Sequence, residues 1–316
     1  MLAKKISSHL KKLSQSSPSV RRQFCFSNKE NSLIENNDDE PPSLCYSDPL
    51  LEDIFEKTKG LIHKYNNRVL ILLTLQCTAY CRFCTRRRLV SEIKKGALQR
   101  ADIDNMANYL IGQPDIKEVI FSGGDPLTVP ETLNYALSKI SKLKQIKIIR
   151  IGTRVPVAEP KLITNKIINI FKKISQPLYI GIHFEHPDEI TKETILACKK
   201  LRQAGAILYS QSVFLKGVND NYKTLYNLFS SLIEIGVKPY YIYRCDPVKG
   251  AEHFRVSFKK EIAIMTKLRK NLSGMAYPTY VIDTPNGSGK IPVPLNFWDF
   301  DSTKHLDFLN ENKKII

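Results

Sequence analysis

From residue 68 onward the chain alternates short apolar, β-branched runs with helix-length amphipathic segments, and this alternation restricts the fold more than any other feature. The runs lie at 69–75, 117–122, 147–152, 177–184, 206–213 and 238–244, and amphipathic segments fall near 102–111, 131–142, 161–174, 188–204, 221–235 and 257–271. Six such units imply a parallel sheet with right-handed crossovers. Parallel strands buried on both faces read as near-continuous apolar runs, as Val119-Ile120-Phe121 and Ile148-Ile149 do. A seventh run, Tyr280-Val281-Ile282-Asp283, closes the series. Polar residues cluster just past the strands' C-terminal ends, where sites form on (β/α) barrels. The expected fold is therefore α/β, a partial (β/α)6 barrel over 61–275. A helical or extended N-terminal arm (1–60) precedes it and a short C-terminal segment (276–316) follows; an open doubly wound sheet is the competing layout.

The formal charge of +17 raises the question of a nucleic-acid partner. The lysines are dispersed along helix-like stretches such as Lys199-Lys200 and Lys259-Lys260, with no aromatic–basic interleaving of an RNA module, so nucleic acid is not the expected partner. No apolar run reaches 18 residues, so no membrane span is expected. The first 22 residues are basic and Ser-rich, with Leu2, Ile6, Leu10 and Leu13 at helix-like spacing. They superficially resemble a transit peptide. Residues 27–47 are polar and read as an extended arm or loop.

Seven cysteines, unevenly spaced, do not make a disulfide framework at this length. They fit a reducing compartment, the cytoplasm, with Cys25, Cys45, Cys198 and Cys245 as ordinary thiols. Cys77, Cys81 and Cys84 stand apart, spaced C-x3-C-x2-C just after the first run. Three thiolates ligate three irons of a [4Fe–4S] cube and leave the fourth open, whereas an electron-transfer cluster closes it with a fourth Cys. Structural zinc wants four ligands, usually as two close pairs, and no second Cys/His pair follows. Phe83 is placed to lie against a cluster-bound ligand and to offer its face to an adenine ring. The turn Gly123-Gly124-Asp125-Pro126 ends the second run; paired glycines let backbone approach a ligand closely, here S-adenosylmethionine (SAM).

Cys-x3-Cys-x-aromatic-Cys followed by Gly-Gly-Asp-Pro resembles the radical SAM superfamily. More narrowly, Cys77 to Arg88 (CTAYCRFCTRRR) resembles the lysine 2,3-aminomutase family, as do 60–69, 150–156, Asn219-Asp220, Cys245 to Gly250 with His253-Phe254-Arg255, and 283–290. The resemblance runs in order over about residues 20–295. It takes in Arg22-Gln23-Phe24 and Asp48-Pro49-Leu50, which reads the arm as part of the working chain rather than a transit peptide.

The resemblance implies a radical SAM barrel, three cofactors ([4Fe–4S], SAM and pyridoxal 5′-phosphate), L-lysine or a similar basic amino acid as substrate, and an electron donor such as flavodoxin or ferredoxin. It implies Lys290 as the catalytic lysine that carries pyridoxal phosphate, and Arg68 as the fork for its phosphate. Arg86 is implied to take the substrate α-carboxylate, and Asp246 with Asp283 its distal ammonium. Each acid is worth about 4 kcal/mol of Coulomb attraction at roughly 4 Å and an effective dielectric of ~20, before desolvation. His183, Gln211 and Ser212 are implied to face the SAM ribose or nearby polar atoms, and Arg154 a SAM carboxylate or the barrel mouth. Taken singly, each has an ordinary structural alternative: a surface Lys or Arg, a capping Asp, a buried polar side chain. The implied reaction moves nitrogen from the α- to the β-carbon after a SAM-derived radical removes a β-hydrogen, and SAM is regenerated.

The sequence has no Cys beyond Cys245, so the zinc-binding extension of full-length family members is not expected, and a homo-oligomer stays open. Shortness points to the branch that makes (R)-β-lysine for elongation factor P, whereas Cys84-Thr85-Arg86-Arg87-Arg88 favours the lysine mutase proper. An iron–sulfur RNA-binding or RNA-modifying protein is the alternative from another class, suggested by charge.

Overall fold

A computed structural model describes residues 2–31, 45–90, 96, 98–284, 289–295, 304–306 and 312–314. In the arm, α1 (Ser8–Ser16) and α2 (Pro18–Phe24) are capped by Ser7 and Ser17, whose hydroxyls accept from Leu10 N and Val20 N. Pro18 opens α2, where its missing N–H costs nothing. Next come β1 (Glu56–Thr58) and β2 (Leu61–Tyr65), an antiparallel pair joined through Gly60 at φ 79°. Neither strand is legible as an apolar run, because Lys57, His63 and Lys64 interrupt them. Most of the expected 27–47 loop lies outside the described residues.

The sheet continues in strict chain order. Strands β3 (Arg68–Thr74), β4 (Glu118–Gly123), β5 (Ile148–Thr153), β6 (Leu178–His183), β7 (Ile207–Val213), β8 (Lys238–Tyr243) and β9 (Thr279–Asp283) run parallel. At the two edges β2 pairs antiparallel with β3, and β10 (Lys290–Pro292) antiparallel with β9. A separate small sheet pairs β11 (Lys304–Leu306) with β12 (Asn312–Lys314). The connecting helices are α3 (Arg87–Val90), α4 (Arg100–Ile111), α5 (Pro130–Ile140), α6 (Val155–Ala158), α7 (Asn165–Phe171), α8 (Lys192–Gln203), α9 (Tyr222–Glu234) and α10 (Phe258–Asn271). The single helix expected over 161–174 is broken instead: Pro160 starts a 3₁₀ turn to Leu162, and α7 begins only after Thr164.

Crossovers between neighbouring strands place α4, α5, α7, α8, α9 and α10 on one face of the sheet. That face carries the main core, with Val119 and Phe121 of β4, Ile149 and Ile151 of β5 and Ile180 of β6 packed on Leu137, Ile167, Leu201 and Leu228 of the helices. The other face turns inward. The ten-stranded sheet is a partial barrel, not a closed one. Its inner face departs from the apolar-on-both-sides expectation. Glu118, Arg150 and Tyr209 meet there, with Arg150 Nη1 2.8 Å from Glu118 and its Nε and Nη2 donating to the Tyr209 hydroxyl. Gly181 makes room for that ring, since a Cβ there would stand 2.6 Å from Tyr209. Among the described residues no helix is long and apolar enough to cross a membrane.

Candidate active site

Cys77, Cys81 and Cys84 lie in the loop that leaves β3, all free thiols. The loop turns through Tyr80 at φ 47° and closes with Cys84 N donating to Cys81 O at 3.0 Å. The two glycines after β4 exist for this loop. A Cβ on Gly123 would stand 2.3 Å from Thr74 O, and one on Gly124 2.1 Å from Gln76 O. The same backbones are bonded, Gly124 N to Thr74 O at 2.6 Å and Asp125 N to Gln76 O at 2.7 Å. The paired glycines thus also let the cysteine loop pack closely, its carbonyls taking the Gly124 and Asp125 amides. Asp125 also departs from its expected role. Its buried carboxylate accepts from Thr153 Oγ1, Arg154 N, Val155 N and Leu127 N, so it clasps β5 to the turn instead of facing a ligand. Burial pushes that carboxyl up to about 6 despite four donors.

Without metal the three thiols are held in their protonated form. Burial pushes Cys77 well up and Cys84 up to about 11; Cys81 is also raised, against the pull of Arg154. Thiols held protonated by burial ionise when a cation arrives. A single zinc draws every sulfur to about 2.3 Å, whereas a cube takes each thiolate on a different iron. The donor set fits a cluster. Arg154 Nη1 donates to Cys81 Sγ at 2.8 Å while its Nη2 donates to Gln23 and, at 3.1 Å, to Glu189. Its guanidinium also stacks between Phe24 and Phe83, which places Arg154 as a brace beside the cysteines. Phe83 is buried and meets Phe254 edge-on at 5.9 Å, in a small core with Val213, Tyr243 and Cys245.

At the C-terminal ends of the next strands, His183 and Gln211 are register neighbours on the inner face. Gln211 Nε2 donates to the Tyr243 hydroxyl at 2.9 Å. Desolvation and the charges of Arg154 and Arg86 push His183 down to about 4, so it is neutral and presents one acceptor nitrogen. Ser212 does not join them. The strand alternation turns it outward, buried, with its hydroxyl donating to Phe184 O at 2.6 Å. Sequence reading missed Glu185, fully buried two residues past His183, with Nδ1 of that ring 3.6 Å away. Glu185 Oε2 accepts from Val213 N, its Oε1, the atom facing His183 Nδ1, has no hydrogen-bond partner among the described residues, and burial pushes the carboxyl up to about 8. An orphaned buried oxygen here suits a polar ligand such as a ribose.

Across the mouth, Asp283 and Lys290 face each other on β9 and β10, with Lys290 Nζ 2.6 Å from Asp283 Oδ2 and 5.8 Å from the centre of the Tyr243 ring. Residues 285–288, most of the Gly-rich loop singled out in the sequence, lie outside the described residues. Half-buried Asp246 has its carboxyl pushed up to about 7 by burial and by the charge of Asp283, with Lys290 opposing. Lys64, from β2, is lowered mainly by burial and feels Asp283, Lys290, Glu52 and Asp48. Arg68 stacks on Tyr65 at 3.9 Å, and a Cβ on Gly289, beside Lys290, would come within 3.6 Å of the Tyr65 hydroxyl. Among the described residues its Nη1 donates to Asn67 Oδ1 at 3.2 Å and the rest of its fork makes no hydrogen bond, which suits a phosphate.

Arg86 closes the ring of contacts back to the cysteines. Its Nε and Nη2 take both oxygens of Glu52 at 2.8 and 2.6 Å, and Nη1 reaches Ser122 Oγ at 3.3 Å. Glu52, unforeseen in the sequence, grips one edge of the guanidinium and leaves the Nη1 side for another carboxylate. The segment carrying it is tied down by Tyr46 pairing with Val248, next to Asp246, and by Asp48 and Asp53 on Arg88. A chain of contacts and charge couplings thus runs from Cys84 through Arg86, His183, Gln211 and Tyr243 to Asp283, Asp246 and Lys290.

The radical SAM superfamily pattern matches residues 71–229. The L-lysine 2,3-aminomutase of Clostridium subterminale is 43% identical over 251 residues, 79% of this chain and 60% of that enzyme. A provisionally named L-lysine 2,3-aminomutase of Aquifex aeolicus is 37% identical over 93% of this chain and 85% of its own. The glutamate 2,3-aminomutase of Clostridioides difficile is 38% identical over 78% and 58%. The chain thus spans about three-fifths of the Clostridium enzyme's length. It belongs to the lysine 2,3-aminomutase family of the radical SAM superfamily.

Proposed function

We propose that this chain is a pyridoxal phosphate-dependent radical SAM aminomutase that moves the amino group of L-lysine between its α- and β-carbons. One observation carries the choice of lysine: the alkylammonium of Lys290 lies 2.6 Å from Asp283, with Asp246 beside it. The far end of a lysine substrate is the same chemical group. A glutamate tail brought to two carboxylates would be repelled.

Cys77, Cys81 and Cys84 would hold the cluster; His183, Gln211 and the orphaned Glu185 oxygen would line the SAM ribose, with Phe83 against the adenine. Arg68 would take the phosphate of pyridoxal phosphate and Lys290 its carbonyl carbon. When bound, the cluster with SAM supplies a carbon radical able to remove an unactivated hydrogen, and pyridoxal phosphate supplies a conjugated system that holds the migrating nitrogen. The chain's own work is positioning. Arg86, braced by Glu52, fixes the α-carboxylate through its Nη1 side; Asp246 and Asp283 fix the ε-ammonium, and between those anchors the β-carbon is held facing the cysteine side of the mouth. Lys290, leaving Asp283 for the cofactor, vacates the place the substrate ammonium enters. The free thiols of the cysteine loop suit a reducing compartment such as the cytoplasm.

The test is anaerobic reconstitution with iron, sulfide, pyridoxal phosphate, SAM and a reductant, followed by product analysis with L-lysine and L-glutamate separately. β-Lysine from lysine, with no β-glutamate from glutamate, is expected. Turnover of glutamate in preference to lysine would refute the reading.

A further inference from the structure

The outer side of the cysteine loop is covered by the arm. Leu10, Val20 and Phe24 pack on Ala79, with Cys77 and Cys81 against the same group, and Gln23 O accepts from Arg82 N at 2.8 Å. The opposite side of α2 lines a separate cavity of about 350 Å³, bordered by Arg21, Arg22, Cys25, Lys29 and His253. Arg21 and Lys29 are exposed and Arg22 half-buried, and none of the three is in an ion pair among the described residues. That sets them apart from Arg82, Arg86, Arg88, Arg150 and Arg154, each held by a carboxylate. His253 is buried at the cavity wall with Nδ1 lacking any partner. Residues 2–31 hold seven Lys and Arg against one Glu, and that Glu30 is buried between Arg82 and Arg87. Among the described residues, no carboxylate compensates this cationic face.

We propose that this basic cavity on α2 is the docking surface for the acidic face of a one-electron carrier protein that reduces the cluster. The inference rests on the reading of Cys77, Cys81 and Cys84 as cluster ligands. Two observations choose the occupant. α2 lines the cavity with Pro18, Arg21, Arg22 and Cys25 and packs Val20 and Phe24 against the cysteine loop on its other side, so one helix diameter, roughly 10–12 Å, lies between them; on the proposed reading the loop's inner side faces the substrate. An electron arriving from the covered side passes this basic face, whose charge attracts an anionic protein and speeds its encounter. In the step itself one electron leaves the carrier's reduced prosthetic group and enters the cluster. The carrier is oxidised by one, the cluster reduced by one, and no bond forms or breaks.

The experiment follows bleaching of the reconstituted cluster's visible absorption by stopped flow, with reduced flavodoxin and, separately, with dithionite. The wild type is compared with an Arg21→Glu/Lys29→Glu double variant and a charge-keeping Arg21→Lys/Lys29→Arg variant. With flavodoxin at low salt, charge reversal is expected to slow bleaching about tenfold or more and to remove most of its salt dependence. The charge-keeping variant should match wild type, and dithionite should reduce all three alike. Equal flavodoxin rates in wild type and the reversed variant would overturn the proposal, as would equal slowing by dithionite. So would a wild type that flavodoxin cannot reduce but that binds a short RNA tightly. A chain that takes up no cluster would refute the cysteine assignment too, and would show before any carrier is added.

Discussion

Replacing Asp246 by Asn tests the electrostatics of the proposed ammonium site. The carboxyl is pushed from an ordinary 3.8 up to about 7 by burial and by Asp283. Its folded pKa is thus above its unfolded one. Between about pH 4 and 7 the native chain binds the extra proton, so this group's contribution makes the ligand-free protein less stable as pH rises through that window. At roughly 1.4 kcal/mol per unit, three units approach 4 kcal/mol. Solvent access to a half-buried carboxylate trims this to about 2–4 kcal/mol. Urea denaturation of wild type and Asp246→Asn from pH 4 to 8, without ligand, reads the difference directly. Asp125 and Glu185 titrate in both proteins and cancel. The wild type should lose about 2–4 kcal/mol relative to the variant between pH 4 and 8, and L-lysine should restore stability to wild type at pH 8 but little to the variant. Parallel pH profiles would refute the reasoning, because Asp246 would then carry no stored charge penalty for a substrate cation to relieve.

Lys290→Ala should abolish the visible absorption of bound pyridoxal phosphate while leaving iron content and cluster absorption at wild-type levels, measured on the same reconstituted sample. Glu52→Gln removes a two-pronged charge-assisted pair from Arg86, a loss of about 1.5–3 kcal/mol of positioning; lysine KM should rise tenfold or more with kcat much less affected. Gly124→Ala places a methyl 2.1 Å from Gln76 O. The cysteine loop must move, and bound iron per chain should fall well below that of wild type in a colorimetric assay.

The parallel strands were legible because each is a continuous apolar run bounded by turns, and period-2 burial in β4 and β5 bears that out on the helix-facing side. The inner face was not, since Glu118, Arg150 and Tyr209 look like surface residues until the sheet curls and pairs them. The hairpin of β1 and β2 escaped notice for a similar reason: Lys57, His63 and Lys64 break any alternation, and pairing with β3 supplies the structure. Within the site, spacing identified the cysteines. Register, invisible in one dimension, decides that Gln211 faces inward and Ser212 outward. Glu52 and Glu185 carried no motif. A Glu four residues after Asp48 in a polar segment, or one following His-Phe, has meaning only once Arg86 and His183 are seen beside it.

The most direct test of the central claim, that the cysteine loop and Lys290 act on one substrate molecule, is isotopic. L-Lysine bearing ¹⁵N on its α-carbon, incubated anaerobically with the fully reconstituted protein, SAM and reductant, should give product with ¹⁵N on C3 and none on C2. Label released to solvent or left on C2, with turnover that persists when the cluster cysteines are replaced by Ser, would contradict the account.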